Sequence, residues 1–65
     1  MPLLSNDYLK QFFLFLEEAP EAELRARHEA LWQLAQQTRE REFKRTLRWL
    51  RFKIDEELLT RSTLK

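Results

Sequence analysis

The absence of glycine is the feature that most restricts what this chain can fold into, and its only prolines are Pro2 and Pro20. Glycine and proline are the strongest markers of turns, so few connections are expected. Valine is absent, isoleucine occurs once, and residues with high helix propensity dominate from position 5 onward. The sequence therefore predicts an all-α protein, and its 65 residues have room for a single domain spanning 1–65.

The first helix is predicted over residues 6–18. Ser5 is a favourable N-cap residue, and Asp7 places a negative charge near the positive end of the helix. Pro20 is unfavourable inside a helix but suits the first turn of a new one. A tight turn between two helices is therefore expected at residues 18–20.

The second helical stretch is predicted to run from about residue 20 to residue 60. Its apolar residues form two stripes that are displaced by roughly 120° around a common helix axis. The first stripe contains Leu24, His28, Leu31 and Ala35, and the second contains Phe43, Leu47, Leu50, Ile54 and Leu58. Either the helix kinks or breaks within the polar stretch 36–42, where only Thr38 could cap a new helix, or its two halves face different neighbours.

These patterns predict a helical hairpin with a long second helix, kinked or broken near 36–42, that associates as a helical bundle such as a homodimer. Residues 12–16 are apolar all around the helix, and one hairpin offers too little surface to cover them. Small domains without disulfides often gain stability by association. The alternative is a three-helix monomer. The expected core or oligomer face comprises Phe12, Phe13, Leu16, Phe43, Leu47, Leu50, Ile54 and Leu58.

Charge is unevenly distributed along the chain. Residues 1–38 carry six acids and three bases, net −3, whereas residues 39–53 carry seven bases and two acids, net +5. On a helix, the basic stretch places several cations and aromatic rings on the side opposite the second apolar stripe. We predict that this side binds a partner, either a protein or a nucleic acid, through Arg41, Arg45, Arg48, Trp49 and Phe52.

The sequence carries no recognisable catalytic or metal-binding motif. It contains no cysteine, its single histidine, His28, has no second ligand at metal-binding spacing, and a glycine-rich phosphate loop is impossible without glycine. We therefore expect no enzymatic activity, no metal or other cofactor and no small-molecule substrate. The predicted function is a non-enzymatic protein-interaction module, a small adaptor, regulator or inhibitor that presents helix faces to a protein partner or to itself. The alternative is a nucleic-acid-binding regulator that uses the arginine-rich stretch 39–53.

Residues 1–7 contain no Lys or Arg, and the apolar run 12–16 is too short for a signal peptide or a membrane span. We therefore expect a soluble, unprocessed protein without a membrane partner. The lack of cysteine favours the cytoplasm.

Overall fold

The computed structural model describes residues 5–63, which form three α-helices connected by short segments. Helix α1 spans Asn6–Glu18, α2 spans Glu21–Gln37 and α3 spans Arg41–Thr63. The described residues contain no strand. The all-α prediction is confirmed, and the arrangement is the three-helix one.

Local signals in the sequence set both ends of α1. The Ser5 hydroxyl accepts a hydrogen bond from the backbone N–H of Tyr8 at 3.1 Å, as expected for an N-cap. At the other end, Ala19 and Pro20 are both extended and connect α1 to α2. The Pro20 carbonyl accepts the backbone N–H of Leu24 at 3.1 Å and so begins the next helix. The predicted bounds of α1 and the predicted turn are confirmed.

The predicted break within residues 36–42 is also confirmed, and it divides the second helical stretch into two separate helices. Thr38 has an extended backbone, and its hydroxyl donates to the Leu34 carbonyl at 2.8 Å. Thr38 therefore closes α2 and, contrary to the expectation from the sequence, does not cap the new helix. The new helix begins with the Glu40 carbonyl, which accepts the Lys44 N–H at 3.0 Å. Because the chain changes direction here, the two out-of-phase stripes can face one common core.

The core consists of apolar side chains from all three helices and from the first connection. Helix α3 packs mainly against α2 and less extensively against α1. Its buried members are Phe12, Leu16, Ala19, Leu24, Leu31, Leu47, Leu50 and Ile54, and the partly buried residues Phe15, Ala35, Phe43 and Leu58 pack against them. Of the face that the sequence assigns to the core or an oligomer interface, Phe13 alone lies at the surface, with 41% of its area exposed.

Arg61, near the end of α3, connects that helix to the end of α1. Its Nη2 donates to the Leu16 carbonyl at 2.8 Å, and its Nε donates to a Glu57 carboxylate oxygen at 2.9 Å. The last carbonyls of a helix have no partner within the helix, and a cation beside them is favourable. Arg61 therefore supplies a hydrogen-bond donor to a carbonyl at the C-terminal end of α1, 45 residues away in sequence.

We expect Arg61→Met to lower the free energy of unfolding by about 1 to 2 kcal/mol, because it removes charge-assisted hydrogen bonds and keeps the apolar stem. The matched control is Arg25→Met, which removes an exposed ion pair with Glu21 at 3.3 Å and should cost less than about 0.5 kcal/mol. Urea denaturation followed by circular dichroism measures both losses. Equal losses for the two variants would show that Arg61 does not hold α1 and α3 together.

Candidate interaction surface on the third helix

The five residues predicted to bind a partner lie together on the exposed side of α3, which we call the α3 outer face. It consists of Arg41, Arg45, Arg48, Trp49 and Phe52. The helical repeat places this side away from the buried residues Leu47, Leu50 and Ile54. Trp49 is 41% exposed and Phe52 is 55% exposed. Large aromatic side chains are thus presented to solvent beside three arginines.

Trp49 is held in place by contacts on two sides. The Phe13 ring of α1 packs edge to face against the indole, with 6.2 Å between ring centroids and 88° between ring planes. The Lys53 ammonium lies 5.7 Å from the centroid of the indole. Both arrangements are favourable for an aromatic ring with a negative face. Phe13, which the sequence assigned to the core or an oligomer face, therefore extends the aromatic surface of the α3 outer face onto α1.

The arginines of the α3 outer face have no carboxylate partner within ion-pair distance among residues 5–63. Farther along the same helix, Lys53 pairs with Glu56 at 3.1 Å, and Arg61 pairs with Glu57. The cations at the start of α3 are consequently free to meet an external anion. The cations near its end are already neutralised by neighbouring acids.

A cleft of about 190 Å³ lies between α2 and α3, next to the α3 outer face. Its walls are formed by Trp32, Ala35, Gln36, Lys44, Arg48 and Arg51. Arg48 belongs to both features, so the cleft and the outer face are continuous. The cleft could not be predicted from the sequence. The spacing of the three cations places them on one side of α3, but no local signal shows that Trp32 and Gln36 lie opposite.

His28 has no second metal ligand at a suitable spacing in the sequence, and it lies on α2 beside Asp55 of α3. Its Nε2 is 3.0 Å from an Asp55 carboxylate oxygen, but the N–H direction does not satisfy hydrogen-bond geometry. The pair is therefore a close polar contact between the helices rather than an aligned hydrogen bond. The described part of the chain brings no three His, Cys, Asp or Glu side chains into a cluster that could hold a metal ion.

None of the three described helices combines the length and the hydrophobicity needed to cross a lipid bilayer. No known family model, curated protein or solved structure matches this chain.

Proposed function

We propose that this protein is a non-enzymatic interaction module, a small adaptor, regulator or inhibitor, whose α3 outer face binds an acidic surface of another protein. The observation that carries the proposal is the exposure of Trp49 and Phe52 beside arginines that lack acidic partners among residues 5–63. Tryptophan, other aromatic residues and arginine are the side chains that contribute most to binding energy at protein interfaces. The lack of cysteine is typical of reducing compartments, and we place the interaction in the cytoplasm.

Charge favours a protein over a nucleic acid as the partner. The whole chain has a formal net charge of only +1 and a pI of about 8.2, which gives weak long-range attraction to a polyanion. Asp55 and Glu56 are exposed about one turn beyond Phe52 on the same helix. A phosphate backbone extending along α3 would meet these carboxylates, whereas a compact acidic patch on a protein need not reach them.

A nucleic-acid-binding regulator is the second candidate function. The observation that favours it is the continuation of cations from the α3 outer face into the cleft, through Lys44 and Arg51. Phosphate contacts supply most of the non-specific affinity of nucleic-acid-binding proteins. An exposed ring such as Phe52 could stack on an unpaired base.

The proposal is tested by affinity purification from cells that make the protein, with three tagged baits: the wild type, Phe52→Ser and Leu14→Ser. Leu14 is the matched control because it is also an exposed apolar residue but lies on α1, outside the α3 outer face. We expect one protein to be retained by the wild type and by Leu14→Ser and lost with Phe52→Ser, with or without nuclease. Retention that disappears after nuclease treatment would favour the second candidate instead.

We also propose that the protein associates with itself, because Tyr8 and Leu34 are exposed in addition to the aromatic residues of the α3 outer face. When folded subunits associate, the folded state becomes more stable as the protein concentration rises. The melting temperature should therefore increase over a hundredfold range of protein concentration, and sedimentation should show a mass above that of one chain. A constant melting temperature with a mass of 8.1 kDa would establish the three-helix monomer.

A further inference from the structure

The cleft between α2 and α3 concentrates positive charge in a small space. Lys44, Arg48 and Arg51 approach it from α3, while the Gln36 amide and the Trp32 ring approach it from α2. None of its lining residues carries a carboxylate. The side chains supply many hydrogen-bond donors, and the Gln36 carbonyl is the one side-chain acceptor among them.

This arrangement is unfavourable while no anion is present. Lys44 and Arg48 are four residues apart, and Arg48 and Arg51 are three apart, so like charges face each other along one side of a helix. The Arg51 Nε is buried, and within residues 5–63 no group accepts its hydrogen bond. A buried donor without an acceptor destabilises a fold. One anion in the cleft would offset the repulsion among the three cations.

We propose that the cleft binds the phosphate group of a phosphorylated side chain on the protein partner. The inference rests on the proposed function, since it requires a protein partner, and it identifies the chemistry of that partner. A phosphorylated side chain carries a charge between about −1.5 and −2 and three terminal oxygens near neutral pH. Arginine binds such groups with two parallel hydrogen bonds, and clusters of arginines recognise phosphorylated segments in other proteins.

The position of the cleft matches a peptide-borne phosphate. Because Arg48 lines both the cleft and the α3 outer face, a single acidic segment of the partner can contact both. The Trp32 ring offers an apolar wall to the carbon atoms that carry the phosphate. A phosphodiester in a nucleic acid has one negative charge and two free oxygens, so it would leave more of the cation charge of the cleft unbalanced than a monoester does.

The experiment is a nuclear magnetic resonance titration of the full-length protein with inorganic phosphate, phosphoserine, serine and a short single-stranded oligonucleotide. The two tryptophan indole N–H signals report separately on the cleft, through Trp32, and on the α3 outer face, through Trp49. We expect phosphoserine to shift the Trp32 signal in a saturable way, with serine causing no shift. The proposal would be overturned if phosphoserine caused no saturable shift of the Trp32 signal, including the case in which inorganic phosphate causes one and phosphoserine does not. Tighter binding of the oligonucleotide than of phosphoserine to the cleft would overturn it in favour of a nucleic acid.

Variants that remove one positive charge each show whether the cleft itself is responsible. Arg51→Gln and the more exposed Lys44→Gln should each weaken phosphoserine binding by about tenfold, the loss expected for a charge-assisted hydrogen bond. Arg25→Gln is the matched control, because Arg25 is an exposed arginine on α2 that neither lines the cleft nor belongs to the α3 outer face, and the change should alter the affinity by less than about twofold. Equal losses for all three variants would indicate diffuse attraction and would overturn the proposal. These results are independent of the Phe52→Ser purification, so failure of the phosphate site and failure of the proposed function can be told apart.

Discussion

Replacing Leu50 with alanine is expected to lower the free energy of unfolding by about 2 to 5 kcal/mol. Leu50 is 1% exposed and lies in the core cluster that includes Leu47 and Ile54. The substitution removes buried methyl groups and leaves a cavity, and small domains have only about 5 to 15 kcal/mol of stability in total. Equilibrium denaturation in urea, followed by helical circular dichroism, measures the loss.

Leu59→Ala is the matched control for this prediction, because the same chemical change is made on the same helix at a residue that is 69% exposed. Its cost should be below about 0.5 kcal/mol, as is usual for surface positions. A loss below that value for Leu50→Ala, or a larger loss for Leu59→Ala, would mean that α3 turns a different side toward the core.

The combined change Arg41→Gln, Arg45→Gln, Arg48→Gln is expected to leave the fold intact and to slow binding of the protein partner. Glutamine has good helix propensity, and all three arginines are exposed. Because charge complementarity speeds the encounter of two proteins, the association rate at low salt should fall by roughly tenfold or more. Surface plasmon resonance at two salt concentrations measures this rate, and the difference between wild type and variant should shrink as salt rises.

The same variant separates the two candidate functions. For a protein partner, we expect no submicromolar binding of the wild type to RNA or DNA at physiological salt. If the arginines instead hold phosphates of a nucleic acid, the wild type will bind such a ligand tightly, and the variant will lose affinity together with about three units of the salt slope. That outcome would reverse the ranking of the two functions.

The features of the fold that were predicted correctly depend on neighbours in sequence. Ser5 and Pro20 mark helix starts through their own hydrogen bonds and backbone angles. The break near Thr38 followed from a polar stretch between two apolar stripes that one straight helix could not turn toward the same core. The side of α3 that carries Arg41, Arg45 and Arg48 followed from the helical repeat alone.

The features that could not be predicted from the sequence depend on which helices pack together and on which turns of those helices lie side by side. Phe13 belongs to a run of residues that is apolar on every side of α1. Its position at the surface depends on α3, because Trp49 of α3 packs against its ring. The contact of Arg61 with the Leu16 carbonyl joins the ends of two helices that are distant in sequence. The cleft requires Trp32 on α2 to lie opposite Arg51 on α3. Periodicity gives the side of a helix on which a residue lies, but not the residue that faces it.

The most direct test of the central claim, that the α3 outer face binds a protein, is photocrosslinking in cells. A photoreactive phenylalanine analogue is placed at Phe52 in one version of the protein and at Leu14 in another, since both positions are exposed but only Phe52 lies on the α3 outer face. We predict a discrete adduct at position 52 that resists nuclease, is digested by protease and is absent at position 14. An adduct at position 52 that nuclease removes, or equal crosslinking at both positions, would contradict the claim.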